Sequence, residues 1–215
     1  MSLLIKICGL TDIAAAEATA RAGADMAGFM FFEKSPRHLG DMGKARDIAA
    51  ALGEGVSRVA VTVDANDAAL DEIVTGIEPQ ILQLHGAESP ARVDEVKSRF
   101  GVQVMKVCPI AGKADVEVAR HYQGHADLLL FDAKPPKSGA SRPGGLGQTF
   151  DWPLLQGTSW TMPWLLAGGL TPDNVADAIR AAHAPGVDVS SGVEVSPGVK
   201  SPELIERFVA AARSA

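Results

Sequence analysis

The most constraining feature of this chain is a regular alternation between short apolar runs and stretches with helical spacing. Each run is rich in aliphatic residues and is bounded by polar or glycine positions, which is typical of a buried strand. Eight runs predict strands, over residues 3–7, 25–32, 56–63, 81–84, 102–107, 127–131, 163–167 and 187–189. Helical patterns separate these runs, and one such pattern has an apolar face formed by Leu70, Ile73, Val74 and Ile77.

Strict alternation of strands and helices predicts a parallel sheet whose strands are joined by crossover helices. Eight such units in 215 residues predict an α/β fold, a single (β/α)₈ TIM barrel that spans residues 1–215 as one domain. The alternative is a doubly wound open sheet, which usually carries a glycine-rich phosphate turn after its first strand. Here Cys8-Gly9 follows the first strand and the glycine pairs come late, so the pattern favours the barrel.

The composition argues against several classes of function. The net charge is −6 and no basic run is present, so we expect no nucleic-acid partner. No apolar stretch approaches the roughly 20 residues of a membrane span, and Lys6 and Cys8 interrupt any signal-like run near the N-terminus. We therefore interpret Cys8 and Cys108 as reduced thiols, and we predict a cytoplasmic protein with no membrane partner. The sequence leaves the choice between monomer and homodimer open.

In a barrel of this kind, catalytic groups lie at the carboxyl ends of the strands, which meet at one mouth. Nine candidate site residues lie at or just after predicted strand ends: Cys8, Arg37, Gln83, His85, Asp132, Gly168, Gly169, Ser190 and Ser191. Cys8 ends the first strand, ahead of a helix that Thr11 or Asp12 can cap. The alternative for Cys8 is a small buried hydrophobe, which is the usual state of a free cysteine.

Two turns rich in glycine and serine follow the seventh and eighth strands. They are Gly168-Gly169-Leu170 and Ser190-Ser191-Gly192. Barrels often bind phosphate at these two loops, because glycine lets backbone N–H groups approach the anion and serine adds hydroxyl donors. The sequence therefore predicts phosphate binding at both turns, with ordinary turn chemistry as the alternative.

The remaining candidates are polar side chains with distinct chemical uses. Arg37 lies in a turn, where we expect an exposed guanidinium that can hold a carboxylate through two hydrogen bonds. Asp132 follows four apolar residues, and partial burial is expected to raise its pKa and make it an acid. Gln83 and His85 are predicted to contact substrate.

Each of these residues also has a plainer interpretation. Arg37 can be a solvated surface charge, Asp132 a helix cap or one half of an ion pair, and His85 part of a polar surface. The other histidines do not form a metal-ligand spacing, so no metal is expected.

Several short motifs occur in a specific order along the chain. They begin with Lys6-Ile7-Cys8-Gly9 and continue through Ser35-Pro36-Arg37, Gln83-Leu84-His85-Gly86 and Phe131-Asp132 to residues 168–175 and 187–194. Each motif is weak alone, but the ordered set resembles the phosphoribosylanthranilate isomerase family of tryptophan biosynthesis. The resemblance extends from residue 6 to residue 200, which is nearly the whole chain.

This resemblance implies a (β/α)₈ barrel and a reaction that needs no cofactor. The reaction is the Amadori rearrangement of a phosphosugar substrate, N-(5-phosphoribosyl)anthranilate, to 1-(2-carboxyphenylamino)-1-deoxyribulose 5-phosphate. By resemblance, Cys8 is the general base and Asp132 the general acid. Arg37 would hold the anthranilate carboxylate, and the loops at Gly169 and Ser190-Ser191 would hold the phosphate.

Two details qualify the resemblance. A thiol can act as the base if the mouth lowers its pKa from about 8.5. We do not expect Lys6 to provide this lowering, on the premise that its side chain points away from that of Cys8.

The family also commonly has Gly-Gly-Thr-Gly before Phe-Asp-Trp, whereas residues 144–147 are Gly-Gly-Leu-Gly. Leu146 therefore puts a hydroxyl contact in doubt, but it leaves the acid–base pair unaffected.

Two other functions remain open from the sequence. The histidine-pathway sugar isomerase performs the same rearrangement on a similar barrel, but it uses aspartate where this chain has Cys8. A bifunctional enzyme is expected to carry that aspartate as well. From a different class, the chain could be a phosphate-binding barrel without catalysis, although the presence of both Cys8 and Asp132 argues against it.

Residues 133–148 form a long stretch rich in glycine and proline directly after Asp132. Loops of this length are usually functional or disordered. The composition predicts a mobile lid that closes over the bound phosphosugar and keeps water from a Schiff-base intermediate. The alternative is a passive insertion.

Proteolysis tests the lid. Trypsin should cleave after Lys137 quickly in the free protein and slowly with a saturating product analogue, because closure would shield this bond. The bonds after Lys134 and Arg142 precede proline and resist the protease, so Lys137 reports on the loop. Unchanged cleavage with the analogue bound, together with full activity of the nicked protein, would rule the lid out.

Overall fold

A computed structural model describes residues 3–134 and 149–215, in which eight parallel strands form a closed barrel. The strands pair in chain order, and β1 closes the barrel by pairing with β8. The barrel strands are β1 (Leu4–Cys8), β2 (Met26–Met30), β3 (Ser57–Thr62), β4 (Ile81–Leu84), β5 (Gln103–Ile110), β6 (Leu128–Ala133), β7 (Trp164–Leu166) and β8 (Gly186–Val189). The predicted barrel is confirmed, and the doubly wound open sheet is excluded.

Helices connect the strands and cover the outside of the barrel. The α-helices among the described residues are α1 (Ile13–Ala22), α2 (Met42–Ala51), α3 (Asp67–Ile77), α4 (Pro90–Phe100), α5 (Lys113–Ala119), α6 (Val175–Ala182) and α7 (Pro202–Arg213). A 3₁₀ turn at Trp152–Leu155 lies between β6 and β7, where the sequence predicts a short helical piece. Within the described parts of the chain, no helix combines the length and the apolar character of a membrane span.

Local sequence signals explain most helix starts. Asp12, Ser89 and Ser201 occupy the N-cap positions of α1, α4 and α7, and each side chain accepts a backbone N–H of the first turn. The stretch from Thr171 to Asp173 does not start a helix as predicted. Asn174 accepts the N–H of Thr171 and donates to the carbonyl of Gly169, which holds this stretch as a turn, and α6 begins at Val175.

Two strand ends extend beyond their apolar runs. β5 continues through Cys108 and Pro109 to Ile110, and β6 includes Asp132 and Ala133. The reason is continued pairing between the two strands, in which Pro109 lies opposite Asp132. The proposed acid is therefore held within the sheet and does not lie in a loop.

A small antiparallel hairpin after β8 was not predicted. It consists of β9 (Glu194–Ser196) and β10 (Val199–Lys200), with Gly198 in the left-handed region at the turn. The carbonyl of Gly198 accepts a hydrogen bond of 2.6 Å from the Thr11 hydroxyl. The hairpin therefore ties the loop after β8 to the loop after β1.

The core has two layers because side chains alternate along each strand. One set points outward and packs against the helices, and it includes Ile5, Ile7, Phe29, Leu82 and Phe131. The other set fills the barrel, and it includes Val59, Val61, Met105, Val107, Leu130 and Leu165. Cys8 belongs to the inner set, so its thiol faces the barrel axis.

Of the predicted lid, only residues 133 and 134 are described; residues 135–148, including Lys137 and Leu146, lie outside the described residues.

Candidate active site

Cys8 lies at the carboxyl end of β1 with its thiol buried inside the barrel. Its register partner on β2 is Gly28, and a Cβ added at Gly28 would lie 2.7 Å from the Cys8 sulfur. The absence of a side chain at Gly28 therefore makes room for the thiol. Burial raises the pKa of Cys8, and the ammonium of Lys6 opposes this shift only in part. The lowering of this pKa, which the sequence analysis set as a condition for a thiol base, is therefore not found.

Lys6 shares the barrel interior with Cys8, so the premise that their side chains point apart is wrong. Residues two apart on a strand lie on the same face, and Lys6 is fully buried there. Its Nζ lies 2.7 Å from Asp188 Oδ1 on β8. Burial alone would lower the pKa of Lys6, but the charges of Asp188 and Cys8 outweigh it, and the pKa is raised. Lys6 therefore carries a proton deep inside the barrel.

Asp132 points into the barrel from β6 with 8% of its surface exposed. Burial raises its pKa to about 7, and the negative charge of Asp188 adds to this effect. The N–H of Ala133, which donates to Asp132 Oδ1 at 2.8 Å, and the positive charge of Lys6 oppose it. A carboxyl with this pKa is protonated in a large share of molecules at neutral pH, as a general acid requires.

His85 lies beside Asp132 and is not part of a polar surface. Its Nε2 is 3.7 Å from Asp132 Oδ2, which is too long for a hydrogen bond. Burial lowers the pKa of His85 to about 3, and the charges of Lys106 and Lys6 add to the shift. His85 is therefore a neutral imidazole at physiological pH, and its closeness to Asp132 is not an ion pair.

Gln83 precedes His85 by two residues on the same interior face, and it lies deeper in the barrel. It is 1% exposed, and its Oε1 accepts no hydrogen bond from the described residues. A contact between Gln83 and a ligand would therefore have to occur inside the barrel and not at the rim of the mouth.

Arg37 is buried, with 4% of its surface exposed, so the expected exposed guanidinium is wrong. Its Nε and Nη2 donate to the two carboxylate oxygens of Glu194 at 2.6 and 2.7 Å. Glu194 also accepts a hydrogen bond of 2.8 Å from Lys200. One edge of the guanidinium is thus already occupied, whereas Nη1 has no acceptor within residues 3–134 and 149–215.

Glu194 and Lys200 were missed by the sequence analysis. The only local signal is Pro197-Gly198, a dipeptide typical of turns, which would have indicated a hairpin after the eighth strand. The buried Nζ of Lys200 donates to the carbonyl and the hydroxyl of Ser190, at 2.9 and 3.2 Å.

The hydroxyl of Ser190 in turn donates to the carbonyl of Cys8 at 3.0 Å. Ser190 therefore joins the ends of β1 and β8. Because its hydroxyl donates there, it is not a free donor for the predicted phosphate. Ser191 opens a short 3₁₀ turn, Ser191–Val193, directly after it.

The turn after β7 has the geometry of an anion site. Gly168 and Gly169 both lie in the left-handed region, with φ of 88° and 64°, which favours glycine. Among the described residues, the N–H groups of Gly169 and Leu170 have no acceptor. A Cβ at Gly192 would overlap the carbonyl of Leu170, so the loops after β7 and β8 are in direct contact. Free backbone N–H groups in such a concave turn can bind phosphate.

A cavity of about 680 Å³ opens beside Asp132 and His85, which is a size typical of sites for small ligands. Its lining is mostly apolar and includes Val107, Pro109, Val118 and Tyr122. Charged groups at its edge include Lys106, which is bound to the buried carboxylate of Glu88 at 2.9 Å. Asp132 and His85 line this cavity, whereas Cys8 and Arg37 do not.

A model of the N-(5'-phosphoribosyl)anthranilate (PRA) isomerase family matches residues 5–211 of this chain. The chain belongs to this family. A relative at 55% identity is the N-(5'-phosphoribosyl)anthranilate isomerase of Rhodopseudomonas palustris (strain BisA53), and the match covers 100% of this chain and 97% of the relative.

Two solved structures of PRA isomerases are also similar. The crystal structure of the Thermotoga maritima protein has a TM-score of 0.87 at 33% identity, and it covers 99% of this chain and 100% of that chain. A second crystal structure, of a PRA isomerase in complex with reduced 1-(o-carboxyphenylamino)-1-deoxyribulose 5-phosphate, has a TM-score of 0.86 at 30% identity and the same coverage. These matches confirm the resemblance read from the sequence and the prediction of a PRA isomerase of tryptophan biosynthesis.

Gly9 controls the position of Arg37, and its replacement can be tested against a matched glycine. Gly9 and Gly23 have φ of 78° and 77°, but only a Cβ at Gly9 would overlap the Arg37 side chain. We expect backbone strain to cost each of Gly9→Ala and Gly23→Ala about 1–2 kcal/mol of stability, and Gly9→Ala to lose more because Arg37 is also displaced. Only Gly9→Ala should raise KM, by about tenfold or more, because Arg37 is displaced. Equal KM values in the two variants would contradict this role of Gly9.

Proposed function

We propose that this PRA isomerase performs the Amadori rearrangement with Asp132 as general acid and Cys8 as general base. The observation that carries this proposal is the burial of both groups inside one mouth, Asp132 on β6 with a pKa near 7 and Cys8 on β1. Two strands separate β1 from β6 around the closed barrel, so the two groups approach a bound sugar from different sides.

The first step needs the acid. Asp132 gives its proton to the ribose ring oxygen, the bond between that oxygen and C1 breaks, and the nitrogen lone pair forms the Schiff base. A pKa near 7 leaves the proton available at neutral pH, and an unperturbed aspartic acid would have lost it. His85, as a neutral neighbour, places no positive charge beside the carboxyl that would lower this pKa.

The second step needs the base. The thiolate of Cys8 removes the proton from C2, and the electron pair of that C–H bond passes to the Schiff base to give the enolamine, which proceeds to the keto product. Burial disfavours the thiolate, so an adjacent positive charge is required for this step. Lys6 provides one from the same strand.

The ends of the substrate fit the two remaining parts of the mouth. The ligand in the complex of the similar PRA isomerase carries a carboxyphenyl group at one end and a phosphate at the other. Nε and Nη2 of Arg37 donate to Glu194, which leaves Nη1 available for the carboxylate. The turn at Gly168 and Gly169, with the free N–H groups of Gly169 and Leu170, suits the phosphate, together with the backbone of the adjacent loop at Ser190 and Ser191.

Several broader predictions are supported without being tested. Residues 1–215 should act as one domain, because α7 near the C-terminus packs against α1 and β1 near the N-terminus. No group of three or more His, Cys, Asp or Glu side chains in the described part of the chain is arranged to hold a metal ion. Reaction without a cofactor, contacts of Gln83 and His85 with substrate, a cytoplasmic location and the choice between monomer and homodimer stay predictions.

The competing functions are separated by one assay. Loss of phosphoribosylanthranilate fluorescence should be observed with this protein and not with a phosphate-binding module that lacks catalysis. The family match favours this substrate over that of the histidine-pathway isomerase. Turnover of the histidine-pathway substrate at a comparable rate would instead indicate a bifunctional enzyme.

The acid and base roles predict losses in kcat. Cys8→Ser and Asp132→Asn should each lower kcat by about 10²- to 10⁴-fold, with much smaller changes in KM, because each removes a proton-transfer group. Cys108→Ser is the matched control, because Cys108 is also a buried free thiol but faces the helix layer. Near-normal kcat in Cys8→Ser or Asp132→Asn would remove that residue from its role.

The role of Arg37 predicts a selective loss of affinity. Arg37→Ala should weaken binding of product analogues that carry the ortho carboxylate by about 10- to 150-fold, because a charge-assisted hydrogen bond is lost. An analogue without the carboxylate should lose much less. If both analogues lose affinity equally, Arg37 acts through the structure of the mouth and not through the carboxylate.

A further inference from the structure

We propose that the buried Lys6–Asp188 pair is a positioning device for Cys8, in which Asp188 holds the Lys6 ammonium against the thiol so that the thiolate can form inside the barrel. This inference rests on the proposed role of Cys8 as the general base. Lys6 acts through Cys8 and is therefore a positioning residue.

The contacts of the Lys6–Asp188 pair carry the proposal. Lys6 and Asp188 are register partners across the β1–β8 seam, and their charged atoms are 2.7 Å apart. A Cβ added at Gly28 would lie 3.2 Å from Lys6 Nζ and 2.7 Å from Cys8 Sγ. Both atoms therefore lie beside the same glycine, within roughly 6 Å of each other, which is the range over which an opposite charge stabilises an ionised group.

Stability alone does not explain a charged lysine in this position. A buried ion pair is often no more stabilising than apolar side chains of similar volume, and apolar side chains fill most of the barrel below it. A role in stabilising the thiolate does explain the pair, because the Lys6 ammonium can contact Asp188 on one side and the thiolate of Cys8 on the other. An ammonium between two anions offsets the burial that otherwise disfavours the second anion.

The other charged groups around Cys8 are less suited to this role. Lys200 of β10 also acts on Cys8, but its Nζ is already bound to Glu194 and Ser190. Asp188 of β8 carries a negative charge and disfavours a thiolate directly. From the facing side of the barrel, His85 of β4 is neutral and Asp132 of β6 is the proposed acid. Lys6 is thus the cation with the largest influence on Cys8.

The proton movements in this scheme are balanced. The proton on C2 passes to Cys8 Sγ, and the electron pair left on carbon neutralises the Schiff-base nitrogen. Lys6 keeps its own protons throughout, and its hydrogen bond to Asp188 fixes its position before and after the transfer.

Titration of Cys8 tests the proposal. The thiolate absorbance of each variant is measured against pH, and the same curve from that variant with Cys8→Ser is subtracted, which cancels Cys108 and the tyrosine. In Lys6→Met, the Cys8 midpoint should rise by about 1–3 pH units, because the neighbouring positive charge is gone. Consistently, kcat at neutral pH should fall by about tenfold or more and recover as pH rises, with little change in KM.

Asp188→Asn gives a prediction of opposite sign. The amide oxygen of asparagine can still accept the hydrogen bond that positions Lys6, and the competing negative charge is gone, so the Cys8 midpoint should fall. A merely structural effect of either substitution would not move the two midpoints in opposite directions or restore kcat at high pH.

The outcomes separate this inference from the proposed function. If Cys8→Ser keeps its kcat, the role of Cys8 is wrong and the inference falls with it. If Cys8→Ser is inactive but Lys6→Met titrates as the unsubstituted protein does, only the positioning role of Lys6 is overturned. If Lys6→Met does not fold, Lys6→Gln, which keeps a hydrogen-bond donor for Asp188 and removes the charge, decides instead: a raised Cys8 midpoint supports the proposal, and an unchanged or lower one overturns it.

Discussion

The interior of the barrel has to hold ionisable groups in a place from which water is largely excluded, and the Lys6–Asp188 pair is the interaction that makes this possible. It lies across the β1–β8 seam, where the sheet closes on itself. A buried lysine keeps its proton only beside an anion. The lysine in turn offsets much of the free-energy cost of burying that anion. The charge of this pair then acts on Cys8 from one side and on Asp132 from the other.

Burial has opposite consequences for the proposed acid and the proposed base. It raises the pKa of Asp132 to about 7, which keeps a proton on an acid that would otherwise have lost it. It also raises the pKa of Cys8, which hinders a base that has to be deprotonated. The same low-dielectric site would therefore assist Asp132 as the proposed acid and oppose Cys8 as the proposed base, and a fixed cation beside the thiol counteracts the second effect.

A second network shapes the rim of the mouth. Glu194 of the hairpin binds both Arg37 and Lys200, and Lys200 binds Ser190, which donates to the carbonyl of Cys8. The loops after β1, β2 and β8 are thereby joined through charged hydrogen bonds. A guanidinium held along one edge cannot rotate freely, so its remaining edge keeps a fixed orientation, as the proposed carboxylate site requires.

Much of the fold followed from the sequence, because strand and helix periodicities are local. The order of strands, the caps at Asp12, Ser89 and Ser201, and the placement of Cys8 and Asp132 at strand ends all depend on short stretches. The misplaced features depend on distant partners. Arg37 is buried in an ion pair with Glu194, which lies 157 residues away in the chain. β5 extends because it pairs with β6.

The error over Lys6 had a different origin. Its side chain lies on the same face as that of Cys8 by the alternation rule itself, which was misapplied, and no long-range information was needed to correct it. What the sequence could not supply was the partner of Lys6, because Asp188 is brought beside it only when the barrel closes.

The effect of burial on Asp132 is measured most directly by the free energy of unfolding against pH. The folded pKa, about 7, lies above the unfolded value of about 3.9, so protonation favours the folded state. The stability that the protonated carboxyl provides is complete below pH 4 and is lost as pH rises towards and through 7. Unfolding of the unsubstituted protein and of Asp132→Asn should be compared across this range, with exposed Asp177→Asn as control. The stability of the unsubstituted protein should fall relative to Asp132→Asn by up to about 4 kcal/mol between pH 4 and pH 8. A difference that does not change with pH would contradict a carboxyl kept protonated by burial.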